Sequence, residues 1–361
     1  MVARTLITTA DERTWPKDKN EPVLFLGEWC KRYSRKHIWQ AIDYKVVSYH
    51  WDDRVQLKED SLQLREVYEV ILKELSEHLN IIHNTKHDLR YWRIVIGPWL
   101  SQFIPILFDR WAMLVKVINE NQIKVCNVLV DESKKTYAKD YSQAGTFFTE
   151  DKWNEEIFSQ LLKLFFYNKI VTVEVFAKSI IEKKNTESPT RNIKDRFIGF
   201  VGCFNRILYR KDEYFFKSTY LFVLTDLRLQ LRLRQIPRIW KNIPIPAAKP
   251  DEKIRQWQWG SGKNTNPFVA IVRSLIPVHI PIAYLEGYQG IIECANAAPW
   301  PRQPKVIFTS NDHLSNDMFK VWAAKKIEKG AALVIGQHGG HYGMTPWSFH
   351  ENHEVAIADR W

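Results

Sequence analysis

The chain is poor in cysteine, with four in 361 residues, and Cys30, Cys126, Cys203 and Cys294 lie far apart without a CxxC pair. That spacing suggests neither a disulfide framework nor a zinc knuckle, and it suits a reducing cytoplasm. Long apolar runs are also missing. The longest, Ile94–Phe108, is broken by Pro98, Ser101, Gln102 and Pro105, and the N-terminus MVARTLITTADERTWP has no apolar region of secretory length. Neither a membrane span nor a signal peptide is legible. No GxGxxG, GxSxG or DxD occurs, and the last absence argues against a sugar transferase that holds its donor through a metal on an acidic pair. Gly260-Ser-Gly-Lys-Asn-Thr265 only imitates a phosphate-binding P-loop. Trp257 stands where its first glycine belongs, Asn264 replaces the magnesium-binding Ser/Thr, and no apolar strand precedes it.

What is present is a globular composition, 45% hydrophobic, long enough for two domains or one enlarged α/β domain. The net charge of +11 implies an anionic partner, and the excess is local: residues 182–241 hold 14 Lys/Arg against 6 Asp/Glu. Nucleic acid, a phosphorylated metabolite and an anionic membrane surface all fit such a patch. Fifteen tryptophans are spread along the chain, so most belong to the core, with a minority left as platforms for a ring-shaped ligand.

Short β-type runs occur at Leu6–Thr9, Val23–Leu26 and around Val46 and Val47. From Asp60 to about His83 the apolar residues recur at helical spacing, with Ser61 or Asp60 as cap, and further helices are expected over Leu100–Asn119 and Trp153–Tyr167. Leu227–Arg234 alternates apolar and polar residues, a strand period that sets Arg228, Arg232 and Arg234 on one face, either solvated or as a cationic wall for a phosphate. A proline-rich stretch, Pro237–Asp251, reads as linker. After it, Lys305–Thr309, a helix over Ser315–Lys329 capped by Ser315 or Asn316, and Ala331–Ile335 make a βαβ unit with a parallel strand pair. The expected organisation is thus a Rossmann-like parallel α/β fold with helices on both faces: 1–240 with inserted helices and a β segment, a linker-like 241–265, and the βαβ continuation 266–361.

The loop GQHGGHYG leaves the second of these strands at its C-terminal end, where ligands bind in open α/β sheets. Gly336, Gly339, Gly340 and Gly343 let the backbone approach a ligand, and His338 and His341 bring groups that titrate near neutrality. His338, nearer the strand, is the more rigidly placed and is the candidate base; the alternative is a tight turn with solvent-facing histidines. With His350, Glu351, His353 and Glu354 the two histidines form a dense set of metal-ligand types. HENHE, however, spaces its histidines by three where HExxH needs four, so a helix surface is its simpler account and no metal is assigned. At the end of the first strand, Asp11 and Glu12 could orient the imidazole, bind a sugar hydroxyl, act as a base themselves or cap a helix. Trp15, Asp52, Arg54 and Arg93, in TWP, HWDDR and YWR, combine aromatic faces with charge as carbohydrate sites do, although core tryptophans with solvated neighbours look the same.

Together TLITTADERTWP, LFLGEWC, YHWDDR, LRYWRIVIGPWL, FDRWAML and VIGQHGGHYG, followed by HE and ADRW, resemble a family of bacterial transferases found in gene clusters for O-antigen and other surface polysaccharides. The resemblance runs from about Thr5 to Trp361. It implies a glycosyltransferase of the two-Rossmann, GT-B kind, acting at the cytoplasmic side during glycan assembly, without a cofactor, on a nucleotide-activated sugar as donor and a glycan or lipid-linked acceptor. A more distant similarity is to the glycerophosphotransferases of teichoic acid synthesis, whose His-Gly loop supplies the catalytic base; carried over, it makes His338, before Gly339, that base and leaves His341 and Tyr342 outside the comparison. Family members continue past the point matching Trp361, so the expectation is an N-terminal, acceptor half, inactive alone, with the donor-binding half absent. On this reading Gln337, Gly339, Gly340, His341 and Tyr342 line the substrate site, and Arg228, Arg232 and Arg234 serve a lipid diphosphate or the inner-membrane surface. The rivals are a metal hydrolase built on His338, His341, His350 and His353, and a nucleic-acid-binding module, which explains the basic surplus but not the βαβ unit.

Overall fold

The computed structural model describes residues 3–131, 137–177, 214–257, 259, 266–340, 342–345 and 348–361. His341 and most of the basic stretch 182–241 therefore lie outside the described residues, as does the P-loop imitation. Two parallel sheets organise the chain. The first has the order β3-β2-β1-β4-β5, with β1 Arg4–Ile7, β2 Val23–Phe25, β3 Tyr44–Val46, β4 Ile123–Asp131 and β5 Thr172–Ala177. Every neighbouring pair is parallel: Leu6 lies opposite Leu24 and Cys126, and Phe25 opposite Val46. β1 and β2 are buried on both faces, which is why they read as short unbroken apolar runs rather than alternating ones. This is the Rossmann-like arrangement expected.

The second sheet has the order β6-β7-β8, with β6 Tyr214–Phe216, β7 Val306–Thr309 and β8 Ala332–Ile335, again parallel throughout. β6 precedes the proline-rich stretch yet pairs with β7 beyond it. Arg360 adds a parallel bridge to Val334 on the free side of β8, drawing the residues after the last helix onto the sheet.

Helix α1, Arg54–Ile82, starts earlier than its apolar period indicates, because Asp53 accepts hydrogen bonds from the backbone N–H of Val55 and Gln56 and caps it there; Asp60 and Ser61 lie inside, buried. Helix α2, Leu89–Glu120, is one 32-residue element where the sequence suggests a helix beginning at Leu100. It runs through Pro98 and Pro105, each of which forfeits a backbone hydrogen bond at a cost of about 3 kcal/mol. Burial of Trp92, Val95, Trp99, Phe103 and Leu107 offsets that, since each large apolar side chain contributes roughly 1.5–3 kcal/mol.

Helices α3 Tyr141–Phe147 and α4 Asp151–Phe165 follow β4, α5 Val223–Arg232 follows β6, α6 Pro267–His279 and α7 Tyr288–Ala297 precede β7, and α8 Asp317–Ile327 with α9 Phe349–Ile357 flank β8. The largest correction is α5. Leu227–Arg234 is not a strand: Leu, Arg and Gln are strong helix formers and no β-branched residue interrupts them, so helix propensity overrides the period-two alternation. Arg228 and Arg232 are thereby four apart on a helix, and Arg234 lies past its end with a φ of 59°. The three cations do not form one wall.

Helix α2 packs against α1 and α4 beneath the first sheet and against α8 and α9 beside the second, so one buried helix braces both units. A polar junction completes the contact. Asp317 at the start of α8 accepts from the Tyr141 N–H of α3 at 3.0 Å and from the Tyr284 hydroxyl at 2.7 Å, and pairs with the fully buried Lys320 at 2.6 Å. Among the described residues no helix is long and apolar enough to cross a membrane.

Candidate functional site

Polar residues collect at the C-terminal edges of both sheets. In the second, β8 delivers Gly336, Gln337 and His338, and Gly336 is required there: a Cβ would stand 2.7 Å from Ser310 Oγ and 3.1 Å from Phe308. His338 is held at that edge with its side chain 15% exposed. Its Nδ1 lies 2.9 Å from the Tyr342 hydroxyl, which donates to Glu354 Oε1 at 3.0 Å. Gly343, at φ 68°, turns the chain back, and its N–H donates to Glu351 of α9.

Glu354 is the centre of this cluster and is wholly buried. Besides Tyr342, it accepts from His313 Nε2 at 3.1 Å and from the Trp361 indole N–H at 3.0 Å. Burial pushes its pKa up, but the hydrogen bonds from His313, Trp361 and Tyr342, with the His313 charge, win and hold it below the ordinary carboxylate value. An ionised carboxylate can only accept. The single Tyr342 proton therefore goes to Glu354, the phenol oxygen must accept from Nδ1–H of His338, and the lone pair of that imidazole is set on Nε2. An imidazole oriented by a tyrosine and a buried carboxylate is the outcome.

HENHE does form a helix, but its inner half is no helix surface. His353 and Glu354 are buried, with His353 stacked 6.4 Å from His313. Among the described residues neither nitrogen of His353 has a hydrogen-bond partner, and burial holds its pKa well below the ordinary value. Gly97 of α2 makes room for it, since a Cβ there would approach His353 Cε1 to 2.8 Å and the Tyr68 hydroxyl to 2.9 Å. The same imidazole lines a cavity of about 160 Å3 between α1, α2 and α9, with Tyr68, Arg93, Ile104, Pro105 and Phe349. His338 and His353 thus serve different surroundings. Among the described residues no three His, Cys, Asp or Glu converge as a metal site.

In the first sheet the chain turns opposite ways from β1 and β4, the switch point where parallel sheets open a crevice. A cleft of about 900 Å3 lies there, lined by Asp11, Glu12, Arg13, Arg35, Lys152 and Trp153 among others. Its charges are matched: Asp11 with Arg13 at 2.5 Å, Glu12 with Arg35 at 2.6 Å, and Arg32 with Asp151. Arg13 outweighs burial to hold Asp11 below the ordinary value, and the Arg35 hydrogen bond does the same for Glu12. Behind the cleft Glu155, 2% exposed, accepts from Thr8 and Thr9, and burial, with Asp11 and Asp151 nearby, pushes it up to about 7.

The structure therefore separates residues that the sequence reading joined. The carboxylate that orients His338 is Glu354; Asp11 and Glu12 belong to the other sheet and to its arginines. Trp15 is core, its ring 5.2 Å from Phe25. Asp52 and Arg54 are exposed beside the start of α1, and Arg93 is ion-paired with Glu69 at 2.6 Å. Gln337, Gly339 and Gly340 are exposed or partly so around His338. His313, Glu354 and Trp361 went unassigned because their convergence is tertiary. Trp29 is 40% exposed at the end of β2, in the space that Gly27 leaves.

A family model described as "LIC12162 family transferase" matches residues 4–361. Neither a curated protein nor a solved structure matches the chain.

Proposed function

Because the chain belongs to the LIC12162 transferase family, we propose that it transfers a glycosyl or glycosyl-phosphate group from a nucleotide-activated sugar to a hydroxyl of a glycan or lipid-linked acceptor, in the assembly of a bacterial surface polysaccharide. The acceptor oxygen attacks the donor's anomeric carbon or phosphorus, the bond to the nucleotide's leaving phosphate oxygen breaks, and the hydroxyl proton passes to Nε2 of His338. The observation that carries this reading is the Glu354–Tyr342–His338 chain at the C-terminal edge of a parallel sheet. Glu354 stays ionised and Tyr342 fixes the tautomer, so the proton taken by His338 is stabilised by a buried negative charge.

The cleft beside β1 would take the polar body of a substrate, with Asp11 and Glu12 accepting from sugar hydroxyls and Arg13, Arg32 and Arg35 meeting phosphate oxygens by exchanging their present carboxylate partners. The test is nucleotide release from a panel of nucleoside-diphosphate sugars in the presence of glycan and lipid-linked acceptors. In the complete enzyme His338→Ala should lower turnover by about 10²–10⁴-fold while leaving donor affinity nearly intact. Wild-type turnover in that variant removes His338 from the mechanism.

A further inference from the structure

Immediately past β6, on the same sheet edge as His338, the chain exposes five consecutive apolar side chains, Tyr220, Leu221, Phe222, Val223 and Leu224, at 39% to 88% of their full exposure. Helix α5 leaves Leu227 and Leu229 half-buried but exposes its other apolar residues. Its buried residue is Gln230, which bonds Asp226 and the backbone of Arg238, while Val223, Leu224 and Leu231 face outward. A helix on a water-facing surface buries the opposite set. Leu224, Arg228 and Leu231, at i, i+4 and i+7, place apolar and cationic side chains on one outer face, and Ile236 and Ile239 extend the exposed apolar surface. Residues 220–241 hold five Lys/Arg against one Asp. Among the described residues Arg228, Arg232 and Arg234 make no ion pair.

Exposed aliphatic and aromatic residues interleaved with arginines match an anionic bilayer, where the apolar groups enter the acyl boundary and the guanidinium groups reach lipid phosphates. A nucleic acid would use the cations but leave Leu221, Leu224 and Leu231 in water. The segment is also tied to the site. Ser218 and Tyr220 take φ of 52° and 58°, a left-handed backbone that only surrounding contacts sustain, and the Thr219 carbonyl accepts from Ser310 Oγ at 3.0 Å. That turn sets the Tyr220 ring 5.8 Å from the His338 imidazole.

We infer that Tyr220–Leu224 and the outer face of α5 dock the protein on an anionic phospholipid surface, presenting His338 at the membrane plane. The link to acceptor chemistry rests on the base assigned to His338; the docking itself does not. The test is co-sedimentation of the full chain with vesicles of phosphatidylcholine plus phosphatidylglycerol and with vesicles of phosphatidylcholine alone, over a range of salt. Binding should require phosphatidylglycerol and fall steeply with salt. Phe222→Ser with Leu224→Ser should weaken it at least about tenfold, and replacing Arg228, Arg232 and Arg234 with Ser on the order of 100-fold, with unchanged circular dichroism because all five side chains are exposed. His338→Ala should bind as wild type does, which separates failure of docking from failure of the catalytic reading. No binding at low salt, equal binding to both vesicle types, or variants that bind like wild type would each overturn the inference.

Discussion

Replacing Glu354 with Gln removes one charge and keeps the shape, so its consequence can be worked out from three hydrogen bonds. Oε1 accepts from His313 and Tyr342, and Oε2 from Trp361. An amide oxygen can replace only one of these atoms. If it takes the Oε1 position, the NH2 group faces the Trp361 N–H, donor against donor; Trp361 is 45% exposed and can turn into water, losing that bond. A hydrogen bond to a charged group contributes about 1.5–3 kcal/mol, and the two that remain become neutral and weaker, while relief of the buried charge offsets part of the loss. The net expectation is a destabilisation of about 2–4 kcal/mol at neutral pH. The pH dependence is fixed in sign. Glu354 titrates below its ordinary 4.5 in the fold, so its contribution is fully present above that value and is lost as pH falls through the folded pKa. Urea unfolding followed by tryptophan fluorescence, run from neutral pH to well below 4.5, should show the gap between wild type and Glu354→Gln unchanged above 4.5 and narrowing progressively below it. A variant as stable as wild type at neutral pH, or a gap independent of pH, would refute the charged-acceptor picture.

Glu155→Gln should act in the opposite sense: a folded pKa of about 7 means stability is lost as pH rises from 4.5 through 7, so the neutral variant should be the more stable at alkaline pH, by up to about 3 kcal/mol, and nearly neutral in effect near pH 5. Paired urea titrations at the two pH values check it. His353→Leu should raise stability by about 1–3 kcal/mol, because it removes two buried nitrogens without partners beside Gly97, and a lower unfolding midpoint would show that the imidazole is satisfied in solution. Asp53→Ala should cost about 1 kcal/mol through loss of the cap on Val55 and Gln56, with faster amide exchange confined to the first turn of α1.

The parts of the fold that local pattern dictates were legible. β1, β2, β7 and β8 are short apolar runs closed by polar residues, and α1 has a helical apolar period, so the parallel β7–α8–β8 unit and the place of His338 at a strand end follow from sequence. Tertiary compensation hid the rest. The apolar burial that carries α2 through Pro98 and Pro105 comes from α1, α8 and α9, which no local window contains. Alternating Leu with Arg and Gln satisfies a strand period while each residue favours a helix, so period alone points the wrong way. Strand-end position points to Asp11 and Glu12 as the carboxylates behind His338, whereas α9 folds back over β8 and brings Glu354 from sixteen positions further along the chain. HENHE looked like a solvated surface because its charged residues dominate; His353 and Glu354 nevertheless face inward, one against a glycine in α2 and one into three donors.

The most direct measurement is the protonation of the His338 ring, read from long-range proton–nitrogen correlations of its imidazole and assigned against His338→Gln, across a pH series that isolates the signals of the neutral ring. The hydrogen-bond order from Glu354 through Tyr342 predicts a proton on Nδ1 and a bare Nε2, with that preference lost in Tyr342→Phe. A proton found on Nε2 in the wild-type protein would mean that this nitrogen cannot receive one from an acceptor hydroxyl, and the catalytic assignment would fall.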